Sequence, residues 1–277
     1  MKGVWIMAGV TFREAVRKKL VWIALAAGFA FLALFGTGLH YQAKDFAERD
    51  MSPLLRREIV RTMLTLGLYA IDMLTMIMAV LTSVDTLSGE IASGTIQAVA
   101  TKPVHRWELL LGKWLGFVAM LAGYLAVMVG GVNLLTRFMG DVMAHHLLRG
   151  SALMLMEAVL LLSLSLLFGT MFSSLTTGVF VLGLHGLAFI GGWIEQAGAI
   201  ANSPRAVNVG IAASVLMPSE ALWRRAAYEM QSQIAGAMRM TPFGTESVPS
   251  MTMVSYAGLY LLLAIGLAAW RFSARDL

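Results

Sequence analysis

The sequence predicts an all-α polytopic membrane protein: six transmembrane helices, an amphipathic helix ahead of them, and short helices between spans five and six. Three observations carry this. First, 58% of the 277 residues are hydrophobic and only 13% are charged, against roughly 45–50% and 25% in a soluble domain. Second, the apolar residues gather in runs of about 20, the helix length that crosses a hydrocarbon core ~30 Å thick. Third, Gly and Met are abundant, at 27 and 20 residues. Gly lets helices approach closely in lipid, and Met fills irregular gaps. There are no cysteines, which removes disulfides, thiolate metal sites and cysteine nucleophiles. The net charge of +5 lies along membrane edges, not in a separate basic domain. It points to anionic headgroups of membrane lipid as the partner, and not to nucleic acid.

In residues 1–19, Trp5, Ala8, Phe12 and Val16 recur at helical spacing, and Arg13, Arg17, Lys18 and Lys19 crowd the far end. This pattern predicts an amphipathic helix lying in the interface. Residues 20–39 form span one, longer than the roughly 7–15 apolar residues of a secretory signal. The basic cluster before it places the N-terminus in the cytoplasm, and six spans place the C-terminus there too. Counted over the whole chain, Lys and Arg divide almost evenly between the two sides, 10 inside and 11 outside, so the orientation rests on the position of this cluster beside span one. Pro53 suits the start of a helix, which continues into span two, residues 63–84. Asp72 sits near the middle of that span. A carboxylate there must face the bundle or a water-filled cavity, as a substrate or proton contact or as a packing group bonded to a neighbouring helix.

Residues 85–110 are the one long polar interruption with internal grammar. Asp85, Gly89 and Glu90 predict a charged turn, Thr95 to Thr101 a short helical piece, and Pro103 its stop. His105-Arg106-Trp107-Glu108 then opens the next helix. Span three, residues 111–138, begins with Gly112 and Gly116, a GxxxG pair that also arises readily by chance in Gly-rich chains. His145 and His146 in the following loop read as a solvated pair, because no third metal ligand lies nearby. Span four, residues 151–172, carries Glu157. Span five, residues 178–194, carries His185, suited to a proton relay or to a single helix–helix hydrogen bond. In residues 195–250, Ala206 to Met217 is too short to span and Pro218 ends it. Ser219 is expected to cap a second helix running to about Ala237, with Glu220 in its first turn. Leu222, Trp223, Ala226, Ala227 and Met230 form an apolar stripe opposite Arg224, Arg225 and Glu229. These read as re-entrant or interfacial helices at the outer face. Residues 251–270 form span six.

Several chemistries are absent from the sequence. The only Gly-Lys pair is Gly112-Lys113, and a phosphate-binding loop would need Gly at 107, where Trp107 stands. There is no HExxH, CxxC or GxSxG. Ser163 and Ser165 with His185 would be the candidates for intramembrane proteolysis, but hydroxyls in membrane helices usually bond their own backbone.

The order of elements, together with Ser88-Gly89-Glu90, Ser93-Gly94-Thr95-Ile96, Thr101-Lys102-Pro103-Val104, Arg106-Trp107-Glu108-Leu109 and Gly112-Lys113, resembles the permease subunits of type 2 ATP-binding-cassette (ABC) exporters. The branch associated with multicopper-enzyme maturation and nitrous-oxide-reductase assembly is similar. The resemblance covers the whole length in topology and is most specific in residues 85–116. It implies a transport subunit that is not itself an enzyme, paired with a second permease copy and with a separate ATPase subunit that holds ATP and magnesium. It implies a bacterial inner membrane. It further implies that residues 85–110 form the coupling element docked on the ATPase, shaped by Glu90, Gly94, Thr95, Ile96 and Pro103, with Arg106 and Trp107 at the membrane boundary. Asp72, Glu157 and His185 are the candidates for the translocation path. Two competing readings are a subunit that anchors partners without transport and an enzyme using those three groups.

Overall fold

A computed structural model describes residues 2–48, 51–92, 105–231 and 247–274. Every regular element among them is a helix: α1 Lys2–Arg17, α2 Lys19–Glu48, α3 Pro53–Ala92, α4 Arg106–Gly140, α5 Leu147–Gly169, α6 Ser174–Ile200, α7 Pro204–Leu216, α8 Ser219–Met230 and α9 Met251–Ser273. Six of them, α2 to α6 and α9, are long and apolar enough to cross a membrane. Inside a bilayer a helix satisfies its own backbone hydrogen bonds, so sequences this apolar leave few alternatives.

The core is built on α3, α4 and α5. α5 is the most enclosed span and α2 the least. Leu160, Leu161, Leu162 and Leu166 of α5 are fully buried, with Ile71 of α3 and Leu121 and Met128 of α4 beside them in the interior. α2 presents Trp22, Ile23, Phe29 and Leu34 outward, as suits a helix bathed in lipid tails. A one-residue break at Lys18 separates α1 from α2. α1 buries Ala8, Thr11 and Ala15 on one face and exposes Trp5, Ile6 and Val10 on the other.

One feature departs from the sequence expectations and another decides between two of them. Helix α3 does not end in a turn at Asp85, Gly89 and Glu90; it continues to Ala92. No proline interrupts it, and one glycine costs a helix only about 1 kcal/mol. Helices α7 and α8 do form between the fifth and sixth spans, bent by 108° at the break before Ser219, where Pro218 cannot continue α7's hydrogen bonding. α8 turns back into the bundle, which fits the re-entrant reading of these helices and not the interfacial one. Its apolar stripe is buried, and Ser219, Glu220 and Arg224 on its other sides are buried too. It inserts among the spans, with Met230 packed on the Gly150 backbone of α5 and its carbonyl receiving the His145 N–H. α7 lies along α6 through small residues: a side chain on Gly191 would collide with Ala213, and one on Gly198 with Ala206.

Candidate functional site

The polar groups at the centre of the bundle fall into two sets. The first is paired. Glu195 of α6 and Arg224 of α8 form a two-pronged ion pair, Nη1 to Oε1 at 2.8 Å and Nη2 to Oε2 at 2.9 Å. Arg224 also donates to Ser214 Oγ of α7 at 3.2 Å, and the Ser247 hydroxyl donates to Glu195. Gln196 receives the Ser247 N–H. A guanidinium fork matches a carboxylate geometrically, and added donors satisfy the remaining lone pairs, the condition under which buried charges are tolerated. The return of α8 into the bundle brings Arg224 and Glu195 together.

The second set is unpaired. Asp72 on α3 and Glu157 on α5 are 1% and 0% exposed. Neither oxygen of either carboxyl group has a hydrogen-bond partner among the described residues, and Glu220 Oε2 of α8 also lacks one. The three groups lie near enough to act on one another electrostatically. Tyr69, one turn before Asp72, hydrogen-bonds Trp193 of α6. Its ring packs against Trp223 and Phe189, with centroids 5.2 and 6.5 Å away. Glu220 fits because Gly192 of α6 has no side chain; a Cβ there would sit 2.6 Å from Glu220 Cγ.

His185 does not join Asp72 and Glu157 directly. Its Nδ1 is 2.9 Å from Ser219 Oγ, a hydrogen bond between α6 and α8. Ser219 is thereby used as an interhelical partner and makes no side-chain cap for α8. Ser163, the candidate nucleophile, donates to its own helix at Val159 and accepts from Trp114 Nε1 at 3.0 Å. The hydrogen bond that His185 makes goes to Ser219, so neither side chain is shown activating the other.

At the other candidate region, α4 starts at Arg106 with His105 in extended conformation before it and Glu108 in its first turn, a favourable charge at a helix N-terminus. Trp107 is partly exposed and meets the His105 ring edge-on. Glu90 lies on the helical end of α3; its side chain, like Gly94, Thr95, Ile96 and Pro103 as a whole, lies outside the described residues. The GxxxG pair proves to be used, by α1. A Cβ on Gly112 would stand 2.4 Å from Met7 Cβ and 2.9 Å from the Val4 carbonyl, and one on Gly116 would stand 2.8 Å from the Ala8 carbonyl. The amphipathic helix is therefore seated on the first turns of α4, backbone against backbone, just beyond Trp107.

The sequence profile described as "ABC-2 family transporter protein" matches residues 5–277. The chain belongs to this family. A search of curated proteins returned no match. As an ABC-2 family member the chain is a transmembrane permease that works with an ATP-binding subunit. Two regions of this permease are the candidates: the first turn of α4 at Arg106 and Trp107, and the enclosed carboxyl groups of α3, α5 and α8.

Proposed function

We propose that this permease exports its cargo from a bacterial inner membrane as a homodimer, with both termini in the cytoplasm and the ATPase docked on residues 85–110. The observation that carries this reading is the continuity of α3. The helix runs unbroken for 40 residues from Pro53 to Ala92, about 60 Å at 1.5 Å per residue, twice the ~30 Å of hydrocarbon it must cross. It carries Glu90 at one end and Asp72 in its middle. A load that the ATPase applies around Glu90, Gly94, Thr95, Ile96 and Pro103 and that reaches the end of α3 at Ala92 passes to Asp72 along one continuous helix. Arg106 and Trp107 take the same load into α4, and α1 moves with it. Rigid-body displacement of packed helices is the ordinary currency of such coupling.

On this reading Asp72 and Glu157, with Glu220 beside them and His185 held on Ser219, line the cargo route. Their acceptors, walled by Tyr69, Trp193 and Trp223, suit a cargo with a cationic or donor-rich group. The similarity to the multicopper-enzyme-maturation and nitrous-oxide-reductase-assembly permeases rests on residues 85–116 and is the branch we favour.

The test is uncoupling. In purified permease–ATPase complex, Glu90→Lys or Gly94→Trp is expected to leave assembly intact and drop permease-stimulated ATP hydrolysis to the rate of the ATPase alone. Hydrolysis and transport at the unsubstituted level in both variants would remove the coupling role from residues 85–110.

A further inference from the structure

At the end of the bundle opposite Ala92 and Arg106, the C-terminal ends of α2 and α4 and the N-terminal turns of α3 enclose a cleft of about 370 Å³. Among the described residues three guanidiniums line it, Arg56 and Arg57 from α3 and Arg137 from α4, against one carboxylate, Asp141. The charges are poorly matched. Arg57 and Asp141 approach only to 3.6 Å and both are mostly exposed. Arg137 donates Nη1 to the Met143 thioether, a weak acceptor. Arg56 Nε is buried with no partner among the described residues. The nearby Glu58 is taken by Arg61. The floor is closed, since Gly140 and Val60 touch so tightly that a Cβ on Gly140 would stand 2.6 Å from a Val60 methyl.

We propose that this cleft binds the phosphate of an anionic phospholipid headgroup. The chemistry is that of guanidinium toward phosphate oxygens, planar forks with donors to spare. The N-terminus of α3, with Pro53 at the rim, adds its positive end. The position selects a lipid over a soluble phosphate ester. The cleft opens where three spans leave the hydrocarbon. Phe138, 83% exposed, and Leu134, one turn nearer the membrane middle and also exposed, continue it as an apolar strip on α4 along which an acyl chain lies. A zwitterionic headgroup brings its own cation into a site already carrying excess positive charge and is disfavoured. Basic pockets between spans hold anionic headgroups by this chemistry.

The experiment uses the full-length permease in neutral detergent, with its thermal unfolding midpoint followed on addition of phosphatidylglycerol, phosphatidylcholine or inorganic phosphate. Phosphatidylglycerol is expected to raise the midpoint saturably and phosphatidylcholine to do so far less. The substitution pair Arg56→Gln with Arg137→Gln should weaken the phosphatidylglycerol half-saturation by at least about fivefold. Asp141→Asn removes the competing carboxylate and should tighten it by about the same factor, a gain that a misfolded variant cannot mimic. Equal response to the two lipids, or unchanged half-saturation in both variants, overturns the proposal. A full shift from inorganic phosphate alone overturns the assignment to lipid.

Discussion

Glu195–Arg224 and Asp72–Glu157–Glu220 are two solutions to one problem, charge-bearing side chains in the interior of a membrane bundle, and they meet on α8. Glu220 and Arg224 are one turn apart on that helix. On the Arg224 side each carboxylate oxygen of Glu195 has a partner and the network ties α6, α7, α8 and Ser247 together. On the Glu220 side, five carboxyl oxygens in three residues have none among the described residues. Burial is the same; satisfaction is not. A network completed within the fold is structural glue, and its loss should register as instability. Groups left incomplete add no hydrogen bond between helices, and the proposed cargo contact would give them the partner they lack.

The comparison can be broken most forcefully at Arg224. Arg224→Ala strands a buried Glu195 and is expected to cost about 3–5 kcal/mol, seen as a large fall in the thermal unfolding midpoint of the purified permease. The combined change Glu195→Leu and Arg224→Met should restore most of it, because an apolar pair of similar volume carries no stranded charge. If Arg224→Ala unfolds no earlier than the unsubstituted protein, the network is not glue. Ser219→Ala removes one interhelical hydrogen bond to His185 and should cost about 1 kcal/mol, measurable as a modest drop in the same midpoint. The smallest effect on stability belongs to the unpaired set. Asp72→Leu and Glu157→Met should leave the midpoint within about 1 kcal/mol or raise it, while permease-stimulated ATP hydrolysis in the complex falls. Instability as severe as that of Arg224→Ala in either would show that these carboxyl groups are structural after all.

What could be read from the sequence divides along the same line. The spans were legible because a run of about 20 apolar residues needs no tertiary information to be recognised, and Asp72 and Glu157 could be marked as inward-facing because lipid allows nothing else. The Glu195–Arg224 pair was not legible. Its partners lie 29 residues apart, and their meeting depends on α8 turning back after Pro218. Glu195 follows directly on span five, and Arg224, Arg225 and Glu229 opposite an apolar stripe suit a re-entrant and an interfacial helix alike. Glu220 passed for a favourable charge in a first helical turn, its usual role at such a position. Gly112 and Gly116 were visible as a motif, but the motif does not say what it receives, and the answer is α1, not another span. The run of α3 past Val84 to Ala92 was hidden by Gly89 and the surrounding charges, which resemble a turn.

The seat of α1 on Gly112 and Gly116 has a practical consequence. Contacts between main chains leave no flexible side chain to absorb sliding, so the amphipathic helix cannot shift along α4 without carrying α4 with it. The outward face of α1, where Trp5, Ile6 and Val10 stand clear of the bundle, is thus a ready place for a spectroscopic label. A probe attached at Val10 would sit away from the bundle yet report the displacement of a transmembrane helix in real time.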